Sequence, residues 1–233
     1  MKRAGIIGGM SWESTLEYYR IMNQEVKSKL GKLHSADMLI YSFDFEDIEI
    51  MQHEDDWDGL SKAMVNAAKD LVSAKAEFIV IATNTMHKLA PDIVKEVDVP
   101  LLHIADATAE EIKKNNFNKV ALLGTRFTME GKFYRDKLEN EHNIEVIVPD
   151  LKDRKYIHSV IYSELCLGEI KKESRKKFEH IIDKLKKKGA QGVILGCTEI
   201  PLLIKQETSP LPIFDTSTIH AKAAVNFALK GDN

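Results

Sequence analysis

The chain has 233 residues, of which 44% are hydrophobic and 30% are charged, a composition typical of a globular protein rather than a disordered one. The formal charge is only −3, which disfavours a broad nucleic-acid-binding surface. No apolar run reaches the roughly 18 residues of a transmembrane helix, and the N-terminus lacks the apolar core of a signal peptide. We therefore expect a cytoplasmic protein with neither a membrane nor a nucleic acid as partner.

Strand and helix patterns alternate along the chain, which predicts βαβ units. Four short apolar runs, at residues 4–9, 78–82, 120–124 and 192–196, are typical of parallel strands that are buried on both faces. Weaker strand patterns lie at residues 38–43, 101–105 and 145–148. The predicted helices are one capped by Ser11, with an apolar face of Leu16, Tyr19, Met22, Val26 and Leu30, and later ones at residues 60–74, 178–185 and 218–229.

The spacing of the strong strands indicates an internal repeat. Gly9 and Thr83 are 74 residues apart, and Gly124 and Cys197 are 73 residues apart. Two related halves explain this near-equality, although evenly spaced strands occur in many α/β proteins.

We therefore predict an α/β fold of two pseudo-symmetric domains, each a mainly parallel sheet flanked by helices, with the active site in the cleft between them. The N-terminal domain is expected to comprise residues 1–100 and 208–233, because the final helix should pack on the first half. The C-terminal domain is expected to comprise residues 101–207.

Polar and small side chains follow the strong strands, where parallel α/β sheets bind their ligands. They are Met10, Thr83, Asn84, Thr85, Thr125, Cys197, Thr198 and Glu199. Loops that lead into helices present unpaired N–H groups, which suit a carboxylate ligand. If the two halves face each other, Thr83 and Cys197 occupy equivalent positions on opposite walls of the cleft.

Cys197 is the strongest candidate for chemistry. A helix N-terminus lowers the pKa of a thiol, and a thiol poised near neutral pH could remove the weakly acidic α-proton of an amino acid. The alternative, a small buried hydrophobe, is equally open for Cys197 and is expected for Cys166. His87 could orient a site residue or cap the following helix, and Glu199 could be a site carboxylate or an ordinary first-turn glutamate. No metal-binding spacing occurs among the histidines and cysteines.

Six motifs are distributed from one end of the chain to the other. They are GGMSWEST (8–15), TNTMHK (83–88), HIADAT (103–108), ALLGTRFTM (121–129), GCTEI (196–200) and FDT with the following IHA (214–221). At these residues the sequence resembles the aspartate/glutamate racemase family, and specifically its broad-specificity L-aspartate/glutamate racemase branch. GCTEI together with TNTMH at this separation is specific, whereas either motif alone is much less so.

The resemblance implies racemisation of an acidic amino acid without pyridoxal phosphate or a metal, in a protein that is commonly a homodimer. It implies that Cys197 matches the family's second catalytic cysteine, the base for the L-enantiomer. It also implies that seven residues lie at or near the substrate: Met10, Gln52, Asn84, Thr85, Thr125, Thr198 and Glu199.

Two positions depart from the family's pattern. Thr83 stands where the family usually has its first catalytic cysteine, and a hydroxyl is a far weaker acid than a thiol. We therefore expect an asymmetric enzyme in which Cys197 deprotonates the L-substrate and the Thr83 hydroxyl, or a water on that side, returns a proton. Residues 42–52 also lack the arginine with which dedicated aspartate racemases bind the side-chain carboxylate. Gln52 and backbone donors are then the candidates, which leaves aspartate and glutamate equally open.

Two other classes of function stay open. Hydantoin racemases, maleate isomerases and arylmalonate decarboxylases share the scaffold and use cysteine at one or both of these positions. The other class is a carboxylate-binding module with little or no catalysis, which the absence of a thiol at Thr83 supports.

Overall fold

The computed structural model describes residues 1–230 and divides into two compact units. Within the described residues, one unit consists of residues 1–104 and 220–230, and the other consists of residues 105–219. The predicted domain boundaries, at residues 100 and 207, stay a prediction, and the last three residues of the predicted N-terminal domain lie outside the described part. Within residues 1–230, no helix is long and apolar enough to cross a membrane.

The first unit contains a four-stranded parallel sheet in the order β2-β1-β3-β4. Its strands are β1 (Ala4–Gly8), β2 (Met38–Ser42), β3 (Phe78–Ile81) and β4 (Leu101–Leu102). The helices along this part of the chain are α1 (Trp12–Leu30), α2 (Phe45–His53), α3 (Trp57–Ser73) and α4 (Ala90–Glu96), with a 3-10 turn at Thr85–Leu89.

The second unit contains another four-stranded parallel sheet, in the order β6-β5-β7-β8. Its strands are β5 (Lys119–Gly124), β6 (Glu145–Ile147), β7 (Gly192–Gly196) and β8 (Ile213–Asp215). The helices from α5 onward are α5 (Ile104–Lys114), α6 (Arg126–Glu130), α7 (Lys132–Asp136), α8 (Leu151–Ser163), α9 (Lys172–Lys187), α10 (Ile200–Leu203) and α11 (Thr216–Leu229).

The two sheets have the same strand order, which confirms the predicted pair of parallel α/β sheets. All four strong strand predictions are confirmed. β4 is shorter than predicted, because α5 already begins at Ile104. β8 was not predicted, because only Phe214 of its three residues is buried and so short a run carries no periodic signal.

Apolar side chains cover both faces of the first sheet. One face packs on α3, whose predicted apolar residues Leu60, Met64, Ala67, Ala68 and Leu71 are all buried. The other face packs on α1 and on α11, so the prediction that the final helix returns to the first half is confirmed. In the second unit, the predicted face of α9, which carries Phe178, Ile181, Ile182 and Leu185, is buried in one core cluster.

The predicted apolar face of α1 is partly wrong. Ser11 caps the helix as expected, by accepting a hydrogen bond from the Ser14 amide. Leu16 and Tyr19, however, are 52% and 50% exposed, while Ser14 and Tyr18 are buried. The helix therefore turns Ser14 and Tyr18 toward the core instead of the Leu16 and Tyr19 face. The hydroxyls of Ser14 and Thr15 favour this orientation, because they hydrogen-bond to backbone at the carboxyl end of the sheet.

Two facing glycines let β5 and β7 approach closely at their carboxyl ends. Gly124 pairs with Gly196 in the sheet register. A methyl group on Gly124 would lie 2.8 Å from the Gly196 carbonyl oxygen and 3.1 Å from Thr128 Cβ. Thr125 and Cys197 each follow one of these two glycines, so they leave the sheet from neighbouring strands at the same level.

The substitution Gly124→Ala should lower the free energy of unfolding by about 1–3 kcal/mol, the usual cost of overpacking a tight site. Urea unfolding followed by circular dichroism measures this change. The control Leu33→Ala alters a side chain that is 99% exposed and should shift stability by less than about 0.5 kcal/mol. An unchanged midpoint for Gly124→Ala would contradict the close approach of β5 and β7.

Candidate active site

The carboxyl end of the first sheet carries four of the predicted site residues. Met10 follows β1, and Thr83, Asn84 and Thr85 follow the neighbouring strand β3. Met10, Asn84 and Thr85 are buried, whereas Thr83 is half-buried. The structure therefore brings these four residues to one edge of a parallel sheet, the edge at which such sheets bind ligands.

Hydroxyl groups of α1 hydrogen-bond to the backbone around this edge. Ser14 Oγ donates to the carbonyl oxygen of Ala82 at 2.7 Å, directly before Thr83. Thr15 Oγ1 accepts from the Gly9 amide at 2.8 Å and donates to the Ser11 carbonyl at 3.1 Å. Ser14 and Thr15 were not predicted from the sequence as structural parts of the candidate site. The available signal was two adjacent hydroxyl residues in the first turn of a helix that follows a strand.

His87 contacts a predicted site residue and does not cap the helix that follows it. Its Nδ1 lies 2.8 Å from the carbonyl oxygen of Thr83, and α4 has no side-chain cap hydrogen bond. Of the two interpretations that the sequence left open, the geometry favours an orienting contact.

Gln52 is buried on α2, away from the strand ends in the sequence. Its Nε2 donates to Met86 Sδ at 3.1 Å, so part of its hydrogen-bonding capacity is used inside the first unit. Its predicted contact with substrate stays a prediction.

The carboxyl end of the second sheet carries the other four predicted residues. Thr125 follows β5, and Cys197, Thr198 and Glu199 follow the adjacent strand β7. Thr125 Oγ1 caps α6 by accepting from the Thr128 amide at 3.4 Å. Thr125, Cys197 and Glu199 are buried, while Thr198 is half-buried.

The carboxylate of Glu199 is the acceptor for both of its preceding neighbours. Cys197 Sγ donates to Glu199 Oε2 at 2.9 Å, and Thr198 Oγ1 donates to the same oxygen at 2.7 Å. Glu199 is therefore more than an ordinary first-turn glutamate, because it shares the proton of the only thiol that follows a strand end within residues 1–230.

The expectation of a thiol poised near neutral pH is wrong for this structure. The pKa of Cys197 is raised well above its ordinary value, first by burial, then by the charge of Glu199 and its hydrogen bond, and last by Cys166. The Glu199 backbone amide acts in the opposite direction but is outweighed. The expected helix effect is also weak, because α10 has only four residues.

Cys166 packs against the core cluster that contains Cys197 but is only partly buried there. The two cysteines are not joined in a disulfide. The expectation that Cys166 packs on the core is therefore confirmed.

The structure also assembles three potential metal ligands that no sequence spacing indicated. Ligand atoms of Asp106, Glu141 and His142 all lie within 4.8 Å of one another. The ammonium group of Lys137, however, is 3.2 Å from Asp106 and 2.8 Å from Glu141. Because a cationic side chain already pairs with both carboxylates, the arrangement is an ion-pair network.

Comparisons with known proteins agree along nearly the whole chain. A family model described as Asp/Glu/hydantoin racemase matches residues 7–224. The chain is 26% identical to a broad-specificity amino-acid racemase from Bacillus subtilis, over 95% of this chain and 96% of that protein.

Two solved structures are similar in both sequence and fold. The crystal structure of a candidate Asp/Glu racemase from Yersinia pestis has 53% identity and a TM-score of 0.94, covering 99% of this chain and 100% of that one. An aspartate racemase homologue from Pyrococcus horikoshii has 40% identity and a TM-score of 0.85, covering 98% and 99%.

The raised pKa of Cys197 predicts slow alkylation at neutral pH, because the thiolate is the reactive form. In a Cys166→Ser background, the rate of reaction with iodoacetamide should rise only in the alkaline range. Glu199→Gln removes the adjacent negative charge, so we expect its rate profile to shift to lower pH.

The matched control is Glu207→Gln, which removes an exposed charge from the same unit. It should leave the profile of Cys197 unchanged. A Glu199→Gln profile that coincides with that of the parent would contradict the proposed influence of this carboxylate on the thiol.

Proposed function

We propose that this protein interconverts the enantiomers of an acidic amino acid, aspartate or glutamate, without a cofactor. The premise is that the chain belongs to the Asp/Glu/hydantoin racemase family. Family relatives and structural neighbours identify the chain as an amino-acid racemase, which is an isomerase. The observation that carries the proposal is the hydrogen bond from the Cys197 thiol to Glu199 at the carboxyl end of β7.

In the proposed first step, Glu199 receives the thiol proton of Cys197, and the resulting thiolate removes the α-proton of the L-substrate. The 2.9 Å contact supports this role, because a general base must lie within hydrogen-bonding distance of the proton that it takes. The raised pKa of Cys197 means that this transfer is uphill in the unliganded protein. The proposed reaction should therefore become faster as the pH rises.

Removal of the α-proton develops negative charge that extends into the substrate carboxylate. Preorganised donors in a site shielded from water stabilise such charge more effectively than water does. Asn84, Thr85 and Thr125 are the proposed donors. Their burial at the carboxyl ends of β3 and β5 supports this role.

In the proposed second step, the opposite face of the carbanion receives a proton from the Thr83 side. Thr83 is half-buried and follows β3 as Cys197 follows β7, at matching positions of two sheets with the same strand order. A hydroxyl has a far higher pKa than a thiol, so proton removal from the D-substrate on this side should be slow. The proposed enzyme is therefore asymmetric.

We place the proposed activity in the cytoplasm and assign it to a homodimer, on the strength of the family resemblance. Sedimentation velocity should give a species of twice the monomer mass at micromolar concentration. A monomer at all concentrations would contradict the homodimer without affecting the proposed chemistry.

Exchange of the α-proton in deuterated water, followed by NMR, tests the proposed reaction. L-Aspartate or L-glutamate should exchange faster than its D-enantiomer. Cys197→Ser should lower L-exchange by roughly 10²–10⁴-fold, the usual contribution of a general acid or base. Thr83→Cys should raise D-exchange most, because it supplies a thiol on the second side.

Cys166→Ser is the matched control and should change both exchange rates far less than Cys197→Ser does, because Cys166 is the last of the causes that raise the pKa of Cys197. Equal rates for the two enantiomers in the parent would contradict the asymmetric mechanism. Binding without any exchange would instead support a carboxylate-binding module. Turnover of maleate, a hydantoin or an arylmalonate in the same panel would support another reaction of this scaffold.

A further inference from the structure

His87 connects two separate segments of the first unit through its two ring nitrogens. Nδ1 lies 2.8 Å from the carbonyl oxygen of Thr83, at the end of β3. Nε2 accepts a hydrogen bond from the backbone amide of Ile104, the first residue of α5, at 3.2 Å. The ring is 1% exposed.

These two contacts determine the position of the ring proton. A backbone N–H can only donate, so Nε2 must be unprotonated where it meets Ile104. A carbonyl oxygen can only accept, so Nδ1 carries the proton and donates to Thr83. Only the neutral tautomer protonated at Nδ1 satisfies both partners.

The surroundings of His87 favour this neutral form. The ring of His103 lies 4.7 Å away and that of His220 lies 5.5 Å away, measured between centroids. Burial, followed by these two histidines, lowers the pKa of His87 well below its ordinary value, and it outweighs the opposing effect of hydrogen bonds to the Thr83 and Leu102 backbone. The neutral ring suits the hydrogen bond that Nδ1 donates to Thr83.

A second histidine in this cluster hydrogen-bonds to different groups. His220 Nε2 lies 2.9 Å from the Leu102 carbonyl oxygen, and its Nδ1 lies 2.9 Å from the Tyr18 hydroxyl. Both of these contacts are made to groups other than Thr83, so the pair of His220 and Tyr18 can serve as a control.

We propose that His87 is a positioning residue for the Thr83 side of the reaction, because its Nδ1–H holds the Thr83 carbonyl and thereby the peptide that carries the Thr83 hydroxyl. This inference rests on the proposed racemase function and deepens it. The Ser14 hydroxyl donates to the preceding carbonyl, that of Ala82, at 2.7 Å. Two consecutive carbonyls are thus held by side chains, which restricts rotation of the backbone at Thr83.

The consequence is specific to one enantiomer. Exchange of the L-substrate requires only that Cys197 removes and returns a proton on its own side. Exchange of the D-substrate, and inversion of the L-substrate, require the Thr83 side. Displacement of Thr83 should therefore lower the rates of D-exchange and of inversion, and it should leave the rate of L-exchange nearly unchanged.

Two substitutions separate the two hydrogen bonds of His87. His87→Asn presents an amide N–H where Nδ1–H was and loses the acceptor for Ile104. His87→Gln presents an acceptor near the position of Nε2 and loses the donor to Thr83. Both variants keep a neutral polar side chain, so their effects on burial are similar.

We expect His87→Gln to lower D-exchange and inversion by about 10- to 100-fold, since small misplacements of a reacting group have effects of this size. L-exchange should be nearly unchanged in the same variant. His87→Asn should retain most of the parent's ratio of D-exchange to L-exchange. Tyr18→Phe removes a hydroxyl of the neighbouring pair and should lower the melting temperature without altering that ratio.

A ratio that falls equally in His87→Asn and His87→Gln, or that falls in neither, would overturn the positioning role. Equal losses of D-exchange and L-exchange in both variants would likewise assign His87 a purely structural role. These outcomes differ from failure of the proposed function itself, which would appear as no L-exchange in the parent protein.

Discussion

A buried carboxylate that accepts two hydrogen bonds from its own neighbours is the interaction on which the proposed chemistry of Cys197 depends. Glu199 draws the protons of Cys197 and Thr198 toward one oxygen. Burial makes both possible charges costly, so a thiolate and a carboxylate side by side are strongly disfavoured. Burial of the thiol, followed by the charge of Glu199 and its hydrogen bond, therefore raises the pKa of Cys197 well above its ordinary value. In the proposed mechanism, this shift has to be overcome before the thiol can act as a base.

The carboxyl end of the first sheet is held by a different kind of interaction. The backbone around the Thr83 side chain is bound through the carbonyl oxygens of Ala82 and Thr83. Neutral donors, the Ser14 hydroxyl and the His87 imidazole, fix the chain without adding charge. Two sheets with the same strand order therefore carry different groups at their carboxyl ends, a carboxylate beside Cys197 and neutral hydrogen-bond donors around Thr83.

The residues at the strand ends of the candidate site could be predicted from sequence patterns, whereas the hydroxyl residues of α1 that contact this edge could not. Residues that follow strong apolar strands were identified as candidates, because the ends of parallel strands collect ligand-binding groups. Ser14 and Thr15 were missed because apolar periodicity favoured the Leu16 and Tyr19 face of α1. Hydrogen bonds to the sheet edge outweighed that pattern, since buried backbone groups need partners. The weak strand β8 was missed because three residues carry no periodicity.

The sequence alone determined the α/β class, the four strong strands, the faces of α3 and α9 and the candidates at the strand ends, because these follow from local apolar patterns and chain order. Family membership was also evident from its motifs. Only the tertiary structure decided the raised pKa of Cys197 and the partners of His87. A pKa depends on burial and on charges within a few ångströms, and a tautomer depends on which groups meet each ring nitrogen. Neither quantity is encoded in the spacing of residues along the chain.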